Sequence, residues 1–188
     1  MGSSDNHFGQ PGVRYNSISG IYADKLDRKQ ILDAFNSGKC YATTGERIIL
    51  DVKANGKDMG SVIKFPRNGK IKLEITVNGT GMIESVQLFA CPFIEGDKSV
   101  PFGEFMFEEN DPLVEKTLNS WYTAFEKHNI DKMDVDLAFE VDNTGDKMVY
   151  YVRVIQKEPI TLPCALEGSG VLQVRPVMAW STPVWVEN

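Results

Sequence analysis

Lys70-Ile71-Lys72-Leu73-Glu74-Ile75-Thr76-Val77 alternates polar and apolar side chains without a fault. In an extended chain successive side chains point to opposite faces, so Ile71, Leu73, Ile75 and Val77 share one dry face and Lys70, Lys72, Glu74 and Thr76 one wet face. A helix would scatter the same residues around its circumference. The pattern recurs on both sides. Ile48, Leu50, Val52 and Ala54 alternate with Ile49, Asp51 and Lys53, and Asn55-Gly56 follows as a tight-turn signal. Asn78-Gly79 reads as the punctuation ending the first stretch, with Val86, Leu88 and Ala90 as the next inward set before Pro92. Val135, Leu137, Phe139 and Val141 alternate with Asp134, Asp136, Glu140 and Asp142, and Asn143-Thr144-Gly145-Asp146 turns the chain into a β-branched and aromatic run over 148–156. Residues 171–177 and 183–186 complete the set. Short alternating strands with Gly- or Asn-marked turns predict a mainly β fold, an antiparallel two-layer sandwich of immunoglobulin-like architecture. The immunoglobulin disulfide and its Trp spacing are absent, so the likeness is one of architecture only.

Two segments depart from the period of two. Over residues 24–38, Asp27 is placed to cap a helix with Gln30 three residues on, Ile31, Leu32 and Phe35 form an apolar stripe, and Gly38 stands where a left-handed C-cap is wanted. Cys40-Tyr41-Ala42-Thr43 then reads as a short strand. Strand, loop, helix and strand in this order is the grammar of the last unit of an α/β barrel. Further on, Asp111-Pro112 is a good helix start, and Val114, Leu118, Trp121 and Phe125 recur at helical spacing, which predicts a helix over 112–127.

Composition narrows the function classes. The 188 residues suffice for one good core, and 42% hydrophobic with 24% charged residues is ordinary for a globular chain. A net charge of −6 without a Lys/Arg-rich run argues against a nucleic-acid partner. No apolar run is long enough to span a bilayer and no signal sequence is apparent, so no membrane partner is expected; the compartment stays open. Cys40, Cys91 and Cys164 show no metal or redox spacing and are expected to be buried small hydrophobes.

Candidate chemistry sits at the two ends of the chain. Asp5 and His7 are two positions apart in Gly2-Ser3-Ser4-Asp5-Asn6-His7. On an extended segment both side chains share a face, and carboxylate and imidazole are both ligands for Zn, Mn or Fe. The competing reading is a polar tail in which Asp5 caps a turn and His7 is solvated. Trp121, Tyr122, Trp180 and Trp185 suggest ligand-facing aromatics, of which Trp180 and Trp185 lie in strand-like sequence; core or interdomain packing would use them equally well. Glu104, Glu108, Glu109 and Asp111 read as a solvated acidic loop, and His128 as a solvated residue after the second helix. Gly79-Thr80-Gly81 and Gly168-Ser169-Gly170 lack the context of a phosphate-binding loop and read as turns.

The run from Gly2 to Gly12, the Gly20-Ile21-Tyr22-Ala23 that follows and Cys40-Tyr41-Ala42-Thr43-Thr44-Gly45-Glu46-Arg47-Ile48 together resemble the end of the catalytic domain in a bacterial family of the polymerase and histidinol phosphatase (PHP) superfamily of metal-dependent phosphoesterases. Ser4, Asp5 and His7 match that family's final Ser-Asp-x-His metal motif, and residues 41–45 match its Tyr-Ala-Thr-Thr-Gly segment. Tyr150-Tyr151-Val152-Arg153-Val154 and Ala179-Trp180-Ser181-Thr182-Pro183-Val184-Trp185-Val186 are similar to its closing strands. The family's earlier His- and Glu-rich metal motifs have no counterpart here. The resemblance implies a C-terminal portion of such a protein: residues 1–46 as a strand-helix-strand remnant of the catalytic α/β barrel, and 47–188 as a β-sandwich accessory domain. It implies a divalent metal (Zn, Mn or Fe) in the parent family, with Asp5 and His7 as ligands completed by an N-terminal catalytic region or a second subunit. Catalytic metals generally take three or more protein ligands, so the chain alone is expected to be inactive. The alternative is a stand-alone sandwich that binds a glycan or a protein partner. Homo-oligomerisation through the apolar stripe of residues 27–37 is a further expectation.

Overall fold

The alternation at Lys70 opens a single strand of 23 residues around which the rest is arranged. The computed structural model describes residues 2, 17–64, 68–92, 126–143, 147–163 and 172–187. In chain order its elements are β1 (Ile18–Ile21), α1 (Arg28–Asn36), β2 (Cys40–Thr43), β3 (Ile49–Ala54), β4 (Lys57–Asp58), β5 (Val62–Lys64), β6 (Lys70–Pro92), β7 (Glu126–Asp142), β8 (Met148–Gln156), β9 (Ile160–Pro163), β10 (Leu172–Arg175), β11 (Met178–Ser181) and β12 (Val184–Glu187). Ten strands form one sheet in the order β1-β2-β11-β8-β6-β3-β4, with β7 along β6, β12 against β8 and β5 against β12. Every pair is antiparallel except β12–β5. The remaining two strands, β9 and β10, pair with each other.

The fold is mainly β, and its sheet curls. At about 3.3 Å per residue a straight β6 would be roughly 70 Å long. Yet Lys70 pairs with Asp142 and Pro92 with Met148. Residues 142 and 148 can stand no more than about 20 Å apart along the chain, so the two ends of β6 must be brought together. The bend lies between Asn78 and Ile83, where the register with β7 slips. Asn78-Gly79 and Gly79-Thr80-Gly81, expected as turns, are therefore the bend of a continuous strand. The amide groups freed there are taken up by one side chain: Gln156 Oε1 accepts from Thr80 N (2.8 Å) and Gly81 N (3.1 Å). A Cβ on Gly79 would stand 2.6 Å from the Gly81 carbonyl oxygen and 2.8 Å from that of Met133, so the bend closes only over a residue without a side chain.

Bending brings both halves of β6 onto one core. Ile71, Leu73, Ile75 and Val77 from the first half and Ile83, Val86 and Leu88 from the second are buried with Leu50, Val52, Phe139, Val152, Val154, Ala179, Val184 and Val186. Asn55 and Gly56 take positive φ (47° and 75°) and close the β3–β4 hairpin, as their sequence predicts.

Helix α1 starts as read from sequence, with the Asp27 side chain accepting from Gln30 N at 2.9 Å, and Gly38 follows it at φ 70°. Of its expected apolar stripe, Ile31 and Phe35 are half-buried and Leu32 is 50% exposed, while the buried residue of the helix is Ala34. β1 and β2, flanking this helix, run antiparallel, unlike the parallel strands of an α/β-barrel unit; the bond from Tyr22 N to Lys39 O (2.9 Å) continues their ladder past β1. β2 also pairs with β11, so strands from either side of residue 46 share one sheet. Of the helix expected over 112–127, residues 112–125 lie outside the described residues, and Glu126 and Lys127 belong to β7. His128 is likewise a strand residue, its ring edge-on to Phe139 at 4.7 Å.

Candidate functional site

Asp5 and His7 lie outside the described residues, as do Trp121, Tyr122, Cys164, Gly168–Gly170 as a run, and the carboxylates at 104, 108, 109 and 111. The described residue nearest to Asp5 in sequence on its N-terminal side, Gly2, is tied to β1: its N–H donates to Ser19 Oγ and its carbonyl accepts from the same hydroxyl, both at 2.9 Å. Among the described residues no group of three or more His, Cys, Asp or Glu is placed to hold a metal.

Trp180 and Trp185 fall together on the face of the sheet opposite the core. In β12 the core takes Val184 and Val186 and leaves Trp185 half-buried; in β11 it takes Ala179 and Ser181 and leaves Trp180 half-buried. This is the period of two applied to two short strands. Register then aligns their neighbours. Ala42, Trp180, Arg153, Gln87 and Lys127 form one row across β2, β11, β8, β6 and β7. Tyr151 opposes Phe89 in the next row, and Val62, Trp185, Val149 and Cys91 make the row beyond. Directly paired residues have Cβ atoms about 5 Å apart, within reach of one another's side chains.

Arg153 is the fixed point of this face. Its Nε donates to Gln87 Oε1 at 2.8 Å, and its guanidinium lies over the Phe89 ring at 4.8 Å from the centroid. Phe89 in turn stacks on Tyr151, with ring centres 4.7 Å apart and planes 4° from parallel. Gln87 is itself held by an Nε2–Ser85 Oγ bond of 3.4 Å. Among the described residues no carboxylate pairs with Arg153 and no bond is made by its two terminal nitrogens. Arg153 is half-buried, and the side chains that hold it, Gln87 and Phe89, are buried on this face (6% and 1% exposed).

A second feature is a cleft of about 240 Å³ lined by Tyr22, Asp24, Lys39, Asp51, Lys53, Asp58 and Met59. Lys39 Nζ and Asp58 Oδ2 are 2.9 Å apart; their hydrogen bond raises the pKa of the ammonium and lowers that of the carboxyl. Burial, and then the Asp51 charge, push the Tyr22 phenol well above its ordinary range. The phenol therefore stays protonated near neutrality and is no general base there. Cys40 and Cys91 are buried, as expected, and burial raises the Cys91 thiol to about 11, far from a nucleophile's range.

Sequence reading singled out Trp180 and Trp185 but missed Arg153, Gln87 and Phe89. The alternation of Tyr151 with Val152 and of Arg153 with Val154 signals that Tyr151 and Arg153 share a face. Which strand lies beside them is not a local property.

No family model matches the chain. It is similar to three uncharacterised chlamydial proteins. One from Chlamydia pneumoniae is 26% identical over 188 residues, covering 97% of this chain and 24% of the relative. One from Chlamydia trachomatis is 24% identical over 194 residues, covering 97% and 25%, and one from Chlamydia muridarum is 24% identical over 193 residues, covering 97% and 24%. The chain spans about a quarter of the length of the curated relatives it matches.

Proposed function

We propose that this chain is the accessory β module, with the closing segment of the catalytic domain, of a PHP-like metal-dependent phosphoesterase, and that it is inactive alone. The observation that carries this reading is the pairing of β2 with β11, in which Tyr41, Ala42 and Thr43 oppose Ser181, Trp180 and Ala179. The segments resembling that family lie at opposite ends of the sequence, and here they are hydrogen-bonded neighbours. In this reading an N-terminal catalytic region or a second subunit completes a Zn, Mn or Fe site to which Asp5 and His7 contribute, and immunoglobulin-like packing describes the module's curled sheet. Bound metal would supply hydroxide for attack on a phosphate ester; this chain's part is to offer one carboxylate and one imidazole. Calorimetric titration with Zn²⁺ and Mn²⁺, wild type beside Asp5→Ala and His7→Ala, tests it. Binding weaker than about micromolar and lost in both variants is expected, because two ligands seldom offset the ordering of a terminus. Heats indifferent to both replacements would remove Asp5 and His7 from the site.

A second reading, a binding module for a glycan or a protein partner, is favoured by one observation: Trp180 and Trp185 stand half-buried on the same non-core face as Arg153.

A further inference from the structure

We propose that the outer edge of β7 over residues 134–142 takes up an extended segment of a protein partner as an added strand, one in which Lys or Arg alternates with apolar residues. This rests on the second reading above in its protein-partner form and places the partner on a different part of the sheet. Three features converge, and the first is open backbone. Lys72 gives both of its main-chain groups to Asn55: its carbonyl accepts from Asn55 N at 2.8 Å, and its N–H donates to Asn55 Oδ1 at 2.9 Å. Glu140, paired with Lys72, therefore exchanges no main-chain bond with β6, and its N–H and C=O point outward. The register runs unbroken from Asp134–Asn78 to Asp142–Lys70, so Asp134, Asp136, Ala138 and Asp142 repeat that orientation. Among the described residues β7 pairs with no strand but β6. An edge of this kind is a template for one more strand.

The second feature is charge. Residues 134–142 contain Asp134, Asp136, Glu140 and Asp142 and no Lys or Arg, and all these carboxylates are exposed. Glu140 meets Lys70 at 3.4 Å. Asp136 accepts from Thr76 Oγ1 (2.7 Å) and Asp134 from Asn78 Nδ2 (3.3 Å), both neutral groups. A strand laid along this edge sets its side chains about 5 Å from these carboxylates, where Lys or Arg matches them. A second copy of the chain does not fit: antiparallel about Ala138, it would oppose Asp136 with Glu140 and Asp134 with Asp142. The third feature is the margin of the core. Phe139 and Val141 are buried, but Leu137 is half-buried, beside a cavity of about 340 Å³ that Ile130, Val135 and Leu137 help to line. Apolar residues of the added strand, opposite in face to its cations, would cover Leu137.

The test is a fluorescence-anisotropy titration of the whole chain with dye-labelled nine-residue peptides. One alternates Lys and Val, one alternates Glu and Val, and a block peptide has the first one's composition with all its Val together. Saturable binding of the alternating Lys and Val peptide, about tenfold or more tighter than either of the others, is expected. Ala138→Pro removes one outward N–H while leaving the β6 ladder its bonds, and should weaken binding about tenfold or more. Asp134→Asn with Asp136→Asn should weaken it about threefold to tenfold, and less at high salt. Bound peptide should also slow amide hydrogen exchange over residues 134–142. The proposal falls if the block peptide binds as tightly as the alternating one, since charge alone then attracts. It falls too if no peptide binds, in which case the carboxylates only keep the edge from pairing with itself. Binding that ignores both sets of β7 substitutions overturns it as well, and leaves a partner held near Trp180 and Trp185. Should Ala138→Pro fail to fold, the Asn variant and the exchange pattern decide. Metal titration reads Asp5 and His7 and not this edge, so either reading can fail without the other.

Discussion

Replacing Gly79 by alanine tests the bend that makes the fold. The new Cβ would lie 2.6 Å from the Gly81 carbonyl oxygen, 2.8 Å from that of Met133 and 3.0 Å from Gln156 Oε1, where ordinary contacts begin at 3.4 Å. The two nearest atoms are backbone, so no rotamer change relieves the clash. Overpacking of this kind costs about 1–3 kcal/mol. Movement of the bend would also weaken the bonds from Thr80 N and Gly81 N to Gln156, each worth about 1 kcal/mol. A loss of about 3 kcal/mol is expected, which for a chain of this size lowers Tm by roughly 6–12 °C. Gly81→Ala is the control. Its Cβ would meet only the Gln156 side chain, at 3.6 and 3.9 Å, and a residue added without strain stabilises by about 0.4–1 kcal/mol through the unfolded chain. Urea unfolding followed by circular dichroism reads both. If the two variants fall within about 0.5 kcal/mol of each other, close approach at Gly79 is not what shapes the bend.

Gln156→Leu should cost about 2–4 kcal/mol in urea unfolding, because it leaves the Thr80 and Gly81 amides without their acceptor; a cost under about 1 kcal/mol would mean water replaces it. Combined with Gly79→Ala the effects should sum to less than their total, since both act on one bend. Burial raises the Cys91 thiol from 9.0 to about 11, so the unfolded chain releases this proton first; stability is then unaffected below about pH 9 and falls between about pH 9 and 11, by up to about 1.4 kcal/mol per unit. Mass-mapped thiol labelling at pH 8 should modify Cys91 in urea far faster than in the native protein, and equal rates would contradict its burial.

The legibility of this fold differs from residue to residue. Leu50, Val52, Ile71, Leu73, Ile75 and Val77 were assigned to the core from alternation alone, and all are buried. Asp27 and Asn55-Gly56 act where their local chemistry places them, because capping and tight turns involve neighbours in sequence. Asn78-Gly79 carries the same dipeptide as Asn55-Gly56 and does something else. At Asn55 the chain folds straight back so that Lys57 pairs with Ala54, whereas at Asn78 the ladder with β7 resumes at Ile83 and Gln156 takes up the amides freed between them. The dipeptide permits a turn; the distant partners decide whether one forms. Leu32, in the apolar stripe, is half exposed, and the helix residue that is buried, Ala34, lies outside that stripe.

The candidate face divides in the same way. That Trp185 opposes Val184 and Val186, and that Tyr151 and Arg153 share a side of their strand, follows from the pleat and was contained in the sequence. That Trp180, Arg153, Gln87 and Lys127 stand in one row was not. These residues are brought level by the pairing of β11, β8, β6 and β7, whose register is set by burying all four inner faces in one core. A slip of one residue in any of these strands would turn its apolar side chains to water and break the row. Side-chain periodicity is a local property, fixed by backbone geometry wherever a strand forms; the choice of neighbour and register is a property of the whole core, and only the folded sheet decides it.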